Sequence, residues 1–255
     1  MRLKGKTALI CGAGRNNGKA IALTYARAGA DLILVARRLG DELDQVAKQC
    51  ESLGVKTLPL LADMSMHEEV NRIVQLGLQR FGKVEVLVNA IGIRLQKLPW
   101  DYSYDEWQRV FAVNLHSTFY LAKVLAPQMI ERKSGSIIVL GGNASLTASG
   151  PHSAAVVASK HGVYGLVKSL AQAFGPHGVR ANLLALAHIE NKRLNPEWYS
   201  YTGGDPRTDA ERARIPLRRQ GTTREVASVA LFLASDESSY ITGDRVCCSG
   251  GSYLG

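Results

Sequence analysis

The first chemistry legible in this chain lies in Cys11-Gly12-Ala13-Gly14-Arg15-Asn16-Asn17-Gly18, between an apolar run and an amphipathic one. Glycines at Gly12, Gly14 and Gly18 let a backbone turn tightly and approach a pyrophosphate, which then sits at the positive N-terminus of a helix. A plain tight turn is the bland alternative; strand, turn and helix in the required order favour a dinucleotide site. A second apolar run ends Leu34-Val35-Ala36-Arg37-Arg38. A site that prefers the unphosphorylated cofactor usually places an acid there, on the ribose 2′-hydroxyl. Here Ala36 is neutral, and Arg37 or Arg38 can pair with a 2′-phosphate through a guanidinium fork, joined by Arg15 from the loop. NADP(H) is the expected cofactor and NAD(H) the alternative; surface arginines solvated by water are the bland reading.

Those loops need a framework, and the hydrophobic pattern supplies one. Near-continuous apolar runs at 7–11, 31–36, 56–61, 84–89, 136–140, 180–185 and 245–248 read as strands buried on both faces. Longer amphipathic stretches near 19–28, 41–53, 67–81, 104–132, 155–174 and 224–234 read as helices between them. Alternation of this kind implies right-handed crossovers and an α/β fold: a doubly wound, mostly parallel seven-stranded sheet in one domain over 1–255. Pro127 inside the fourth helical stretch calls for a kink there or a break earlier, near Asn114. The segment 190–219 is long for a connector and carries Pro196, Pro206 and Pro216 with Trp198, Tyr199 and Tyr201, as a substrate lid would.

Whole-chain bounds narrow the function classes. The 255 residues carry a net charge of +9 with basic residues scattered, so nucleic acid is not an expected partner. No apolar stretch is long enough to span a bilayer and no signal-peptide core opens the chain, so no membrane partner and a cytoplasmic location are expected. Cys11, Cys50, Cys247 and Cys248 lack metal-ligand spacing; buried free thiols are expected, with the last two on opposite strand faces.

Over nearly its full length the chain resembles the short-chain dehydrogenase/reductase family. The Gly-rich loop matches, with Asn16 where a glycine is usual. Asp63 in Ala62-Asp63-Met64-Ser65 matches the aspartate that contacts adenine, and Asn89 and Gly92 match the family's Asn-Asn-Ala-Gly strand end. Asn114 in Val113-Asn114-Leu115 matches the tetrad asparagine. Further matches are Ile215-Pro216-Leu217, Glu225-Val226-Ala227 and Ile241-Thr242-Gly243. The resemblance implies a nicotinamide-dependent oxidoreductase in which a serine binds the substrate oxygen, a tyrosine carries its proton, and a lysine lowers the tyrosine pKa and holds the nicotinamide ribose. It also implies a homotetramer or homodimer built on the Lys160 helix and the last strand.

Departures gather at the reactive end. Lys160 is in place, but Val156 holds the tyrosine position and Gly142 or Asn143 the serine position. Leu186-Ala187 stands where the family has Pro-Gly beside the nicotinamide, Asn191 replaces a threonine, and His188 and Ile189 of that loop are expected at the cofactor. Hydride addition to a carbonyl makes an alkoxide that needs a positioned acid. Surrogates are His152, whose ordinary pKa of roughly 6.5 suits the task, His188, Tyr199 or Tyr201 from the lid, and Lys160 itself if burial lowers its pKa. Each has a bland role in capping or packing. Asn143 is read as an oxyanion binder through its amide. His116 and His161 are expected to be structural, and Tyr164, four residues beyond Lys160 and roughly 6 Å further along the helix axis, is not given the tyrosine's role. The reading is an NADP(H)-dependent oxidoreductase on a small carbonyl, alcohol or activated alkene, with a non-standard proton donor. The alternatives are a non-redox lyase or isomerase, and a catalytically silent cofactor-binding protein.

Overall fold

Seven strands form one sheet in the order β3-β2-β1-β4-β5-β6-β7, every neighbouring pair parallel. They are β1 (Thr7–Cys11), β2 (Asp31–Ala36), β3 (Thr57–Leu61), β4 (Val86–Asn89), β5 (Gly135–Gly142), β6 (Val179–Leu186) and β7 (Arg245–Cys248). Helices α1 (Asn16–Arg27), α2 (Gly40–Glu51), α3 (His67–Phe81), α4 (Tyr104–Phe111), α5 (Ser117–Glu131), α6 (Ala154–Phe174) and α7 (Thr223–Ala234) connect and cover them. This computed structural model describes residues 1–38, 40–148, 150–190 and 212–252. Most of the expected lid, with Trp198, Tyr199, Tyr201 and Asn191, lies outside them.

The strand pleat divides the core. Ala8 and Ile10 of β1 join the cluster under α1, α2 and α7, while Leu9 and Cys11 join the cluster under α3, α5 and α6. Because both faces are covered, central strands can be apolar throughout, which is why they read as unbroken runs. The strand order reverses between β1 and β4, and the loops leaving their C-terminal ends open the crevice where such sheets bind ligands.

Local signals fix the helix ends. Ser103 and Glu106 form a capping box on α4, and Thr222 and Glu225 form one on α7. Gly82 closes α3 in the left-handed conformation. The expected irregularity in the fourth helical stretch falls at Asn114: a π-helical turn, Ala112–His116, separates α4 from α5, and Pro127 sits inside α5. Among the described residues no helix is long and apolar enough to cross a membrane. The cysteine expectation needs correcting. Cys11 and Cys50 are buried, but Cys247 is exposed because β7 is the outermost strand at its end of the sheet.

Candidate active site

The Gly-rich loop turns as its sequence requires. Gly12 has φ +86°, and an added methyl group would press on the Ala90 carbonyl at 3.1 Å. Gly18 packs the start of α1 onto the loop so closely that a Cβ would fall 2.0 Å from the Gly12 carbonyl oxygen. Asn16, the family's missing glycine, adopts φ 47°. Asparagine tolerates the left-handed region better than most residues, so the substitution keeps the turn. The loop is pinned to β2: the Gly12 and Ala13 N–H groups donate to the Val35 carbonyl at 2.8 and 3.0 Å. Gly14 therefore lies against Ala36, and exposed Arg15 lies on the same rim as exposed Arg37 and Arg38.

Asp63 follows β3 on this rim and is heavily engaged. Its carboxylate accepts from the Ser65 N–H and hydroxyl at 3.0 and 2.6 Å and from the Arg109 guanidinium of α4 at 2.7 Å; Arg37 stands 4.0 Å away. Burial works to raise this carboxyl, but the Arg109 and Ser65 hydrogen bonds hold it at about 2. It is thus a fixed anion with two cations beside it. Arg109 and Ser65 escaped sequence reasoning because an arginine on an amphipathic helix looks like any solvated charge.

Asn89 and Asn114 build the second wall. The buried Asn89 amide donates to the Ser117 and Thr118 hydroxyls at 3.2 and 2.9 Å, tying the end of β4 to the start of α5. Asn114, presented by the π-helical turn, accepts from the Ile93 N–H at 2.8 Å. It donates to the Ile93 carbonyl and the Ser159 hydroxyl, both at 3.1 Å. Ser159 in turn donates to the Val156 carbonyl at 3.0 Å. Asn114 therefore braces the β4 loop against α6. A methyl group on Gly92 would meet both Asn114 Oδ1 and Lys160 Nζ at 3.4 Å, so these three positions converge.

Lys160 Nζ donates to the Leu140 carbonyl at 3.1 Å. Burial pushes its pKa down to about 8. Four residues earlier, Val156 is only 5% exposed and joins Val110, Ala155, Ile93, Leu95, Tyr102 and Ala144 in a small apolar cluster. The one phenol in that cluster is held in place by its own hydrogen bond. Tyr102 donates to the Leu95 carbonyl at 2.6 Å, and burial raises its pKa. It pins the segment after β4, whose Lys97 N–H donates to the His152 carbonyl at 2.9 Å just before α6. His152 is half-buried at that junction.

At the end of β5, Asn143 opens a short turn whose carbonyl accepts from the Leu146 and Thr147 N–H groups. Its side-chain oxygen is buried without a hydrogen-bond partner among the described residues, as is Asn17 Oδ1 in the Gly-rich loop. Beyond β6, His188 takes φ 50° and its carbonyl accepts from the Gly221 N–H at 3.0 Å, while Ile189 bridges to Gly221. A non-glycine residue held left-handed beside a crevice is stored strain. His116 stacks obliquely on Tyr120, His161 bonds the Val157 carbonyl, and Tyr164 packs on the core beneath Lys168. Among the described residues no three His, Cys, Asp or Glu side chains gather as a metal would require.

The family model for enoyl-(acyl carrier protein) reductase matches residues 12–252. The chain belongs to the short-chain dehydrogenase/reductase family. Curated members of this family are similar throughout. One is the 3-oxoacyl-(acyl-carrier-protein) reductase FabG of Thermotoga maritima, 35% identical over 98% of this chain and 99% of that protein. Another is the oxidoreductase UcpA of Salmonella typhimurium, 32% identical over 99% and 96%. Among solved members, levodione reductase superposes with a TM-score of 0.91 at 27% identity, covering 98% of each chain. A candidate NAD(P)-dependent gluconate 5-dehydrogenase from Beutenbergia cavernae, holding NADP at low occupancy, superposes at 0.87 with 33% identity, covering 98% and 97%. This short-chain dehydrogenase/reductase is accordingly an NAD(P)-dependent oxidoreductase. Its residues fit such a cofactor: the Gly12–Gly18 turn has the tight glycine backbone that precedes a pyrophosphate-binding helix N-terminus, and Asn17 Oδ1 is buried there without a hydrogen-bond partner among the described residues.

Proposed function

We propose that this protein transfers hydride between NADP(H) and a small carbonyl, alcohol or activated alkene, with Lys160 as the proton donor in place of the family's tyrosine. The observation that carries the reading is the place of Lys160 Nζ, desolvated yet set against Gly92 and Asn114 in the crevice. Bound cofactor supplies or takes the hydride at the substrate carbon. Lys160 holds the ribose, as in the family, and its ammonium gives a proton to the oxygen that gains charge; the amine is then reprotonated from water. Asn114 and Ser159 keep the lysine stripe in register, and the Asn143 amide assists the oxyanion. The names of the relatives, reductases of oxoacyl and enoyl groups, support both carbonyl and activated-alkene substrates. Gly12, Gly14, Asn17 and Gly18 hold the pyrophosphate end, Asp63 the adenine, and Gly92, His188 and Ile189 the nicotinamide. Arg15, Arg37 and Arg38 favour the phosphorylated cofactor. By the same kinship it works as a homotetramer or homodimer.

Two measurements test this. The acid form of Lys160 is populated below its pKa of about 8, so reduction should fall as pH rises through that value and oxidation should rise. Lys160→Arg, charged at every pH used, should lose the inflection; an unchanged profile would refute the role. NADPH should quench protein fluorescence at about tenfold lower concentration than NADH, a preference that Arg37→Ala should largely remove. Equal affinities in the parent would overturn the NADP(H) assignment. The sealed apolar wall around Val156 favours a second reading, a cofactor-binding protein without turnover. Failure to change reduced-cofactor absorbance across a carbonyl, alcohol and enone panel, despite tight binding, would select it.

A further inference from the structure

Two guanidinium groups face the same oxygen of Asp63, and they engage it differently. Arg109 Nη2 donates to Oδ2 at 2.7 Å, while Arg37 Nη1 lies 4.0 Å from it, beyond hydrogen-bond reach. The other carboxylate oxygen, Oδ1, accepts the Ser65 N–H at 3.0 Å and the Ser65 hydroxyl at 2.6 Å. Arg109 Nη1 donates to that same hydroxyl at 2.7 Å, so both arms of its fork are fixed. Arg37 is exposed at the end of β2. The Ala62 N–H donates to the Ala36 carbonyl at 3.0 Å, which sets Asp63 beside that strand end. A methyl group on Gly14 would lie 3.8 Å from the Ala36 side chain, so Arg37 also borders the Gly-rich loop.

A carboxylate draws in a nearby guanidinium, and a fork captured by an acid has less to give a phosphate. An uncompensated carboxylate a few ångströms from a phosphate also repels it. By filling Oδ2 and matching its charge, Arg109 suppresses both effects. We infer that Arg109 is a positioning residue for cofactor choice: its pairing with Asp63 keeps Arg37 out of that acid's grip and available to the 2′-phosphate of NADP(H). The inference rests on the NADP(H) reading above and adds a residue, remote in sequence, that sustains the preference. A brace that only shaped the adenine corner would serve both cofactors alike, since they share the adenine and differ in the 2′-phosphate. The ratio of the two affinities therefore separates the roles.

The test uses the intact chain and reads quenching of its fluorescence by NADPH and by NADH. The parent should favour NADPH. Arg109→Gln, which keeps a donor for Asp63 but removes the charge, should lower that preference by roughly fivefold. Arg109→Lys should retain most of it. Adding Asp63→Asn to Arg109→Gln takes away the acid that captures Arg37, so the double variant should regain the preference even as both affinities drop. Arg109→Met replaces the glutamine variant if that fails to fold. Calorimetric titration of adenosine 2′,5′-bisphosphate against adenosine 5′-monophosphate should give the same order of variants without the nicotinamide end. Equal losses for both cofactors in Arg109→Gln would mark Arg109 as a brace for the adenine corner and overturn the inference. So would a double variant left at the reduced ratio. A parent without preference would sink the NADP(H) reading and this inference together, whereas a preference that survives Arg109→Gln would sink this inference alone.

Discussion

Val156 lies on one stripe of α6 with Ser159 and Val163, all buried, so its methyl groups complete a wall instead of reaching into open space. The type of residue 156 was plain from sequence; that it is sealed was not, since the cluster draws on segments 93–95, 102, 110 and 144 as well. Val156→Tyr would overfill that cluster and should cost about 1–3 kcal/mol of folding stability, read by chemical denaturation. The new phenol would also stand four residues before Lys160 on the same helical stripe, where the ammonium favours phenolate. Carbonyl reduction per folded molecule should therefore rise. A destabilised variant with unchanged rate would mean that proton delivery does not limit this enzyme. Tyr102 shows the limit of reading residues singly: its spacing says nothing, yet it is the phenol packed with Val156, locked in a hydrogen bond to Leu95.

The β1–α1 unit is the element whose form follows most directly from its sequence. Its glycines answer different needs, and Gly18 is the least forgiving. Gly18→Ala would force a methyl group to 2.0 Å from the Gly12 carbonyl, a backbone atom with no room to retreat. We expect about 3 kcal/mol or more of lost stability, seen as a lower melting temperature, together with loss of NADPH binding. The stretch from Tyr104 to Glu131 behaves differently. Periodicity sees one long helix, whereas the chain inserts a π-helical turn to aim Asn114 at Ile93 and Ser159. That turn arises from tertiary bonds, which leave no trace in a 3.6-residue pattern.

The molecule as a whole gathers its chemistry on one rim of the sheet, at the C-terminal ends of β1, β4, β5 and β6. Its outer surfaces carry another message. Exposed Trp100, Tyr104 and Phe119 lie on the segment before α4 and on α4 and α5. A hollow of about 330 Å³, lined by Pro151, Ala154, Val157, Ala158 and His161, opens beside the first turns of α6. Light scattering after gel filtration should give the mass of two or four chains, as the family leads one to expect. Ala158→Arg, placing charge on the outward side of α6, should shift that mass toward the monomer. A monomeric parent would refute the expectation.

Strand and helix order, the sheet's parallel character, the glycine turn after β1 and the valine at 156 were determined by the sequence itself, because each depends on near neighbours in the chain or on alternating burial. Tertiary structure decided the rest. Asp63 is held by Arg109 from 46 residues away, Asn114 by Ser159 from 45, and the Asn143 side-chain oxygen is buried without a partner among the described residues. Hydrogen bonds between distant segments depend on where folding brings them, and a single sequence records the groups but not their meeting.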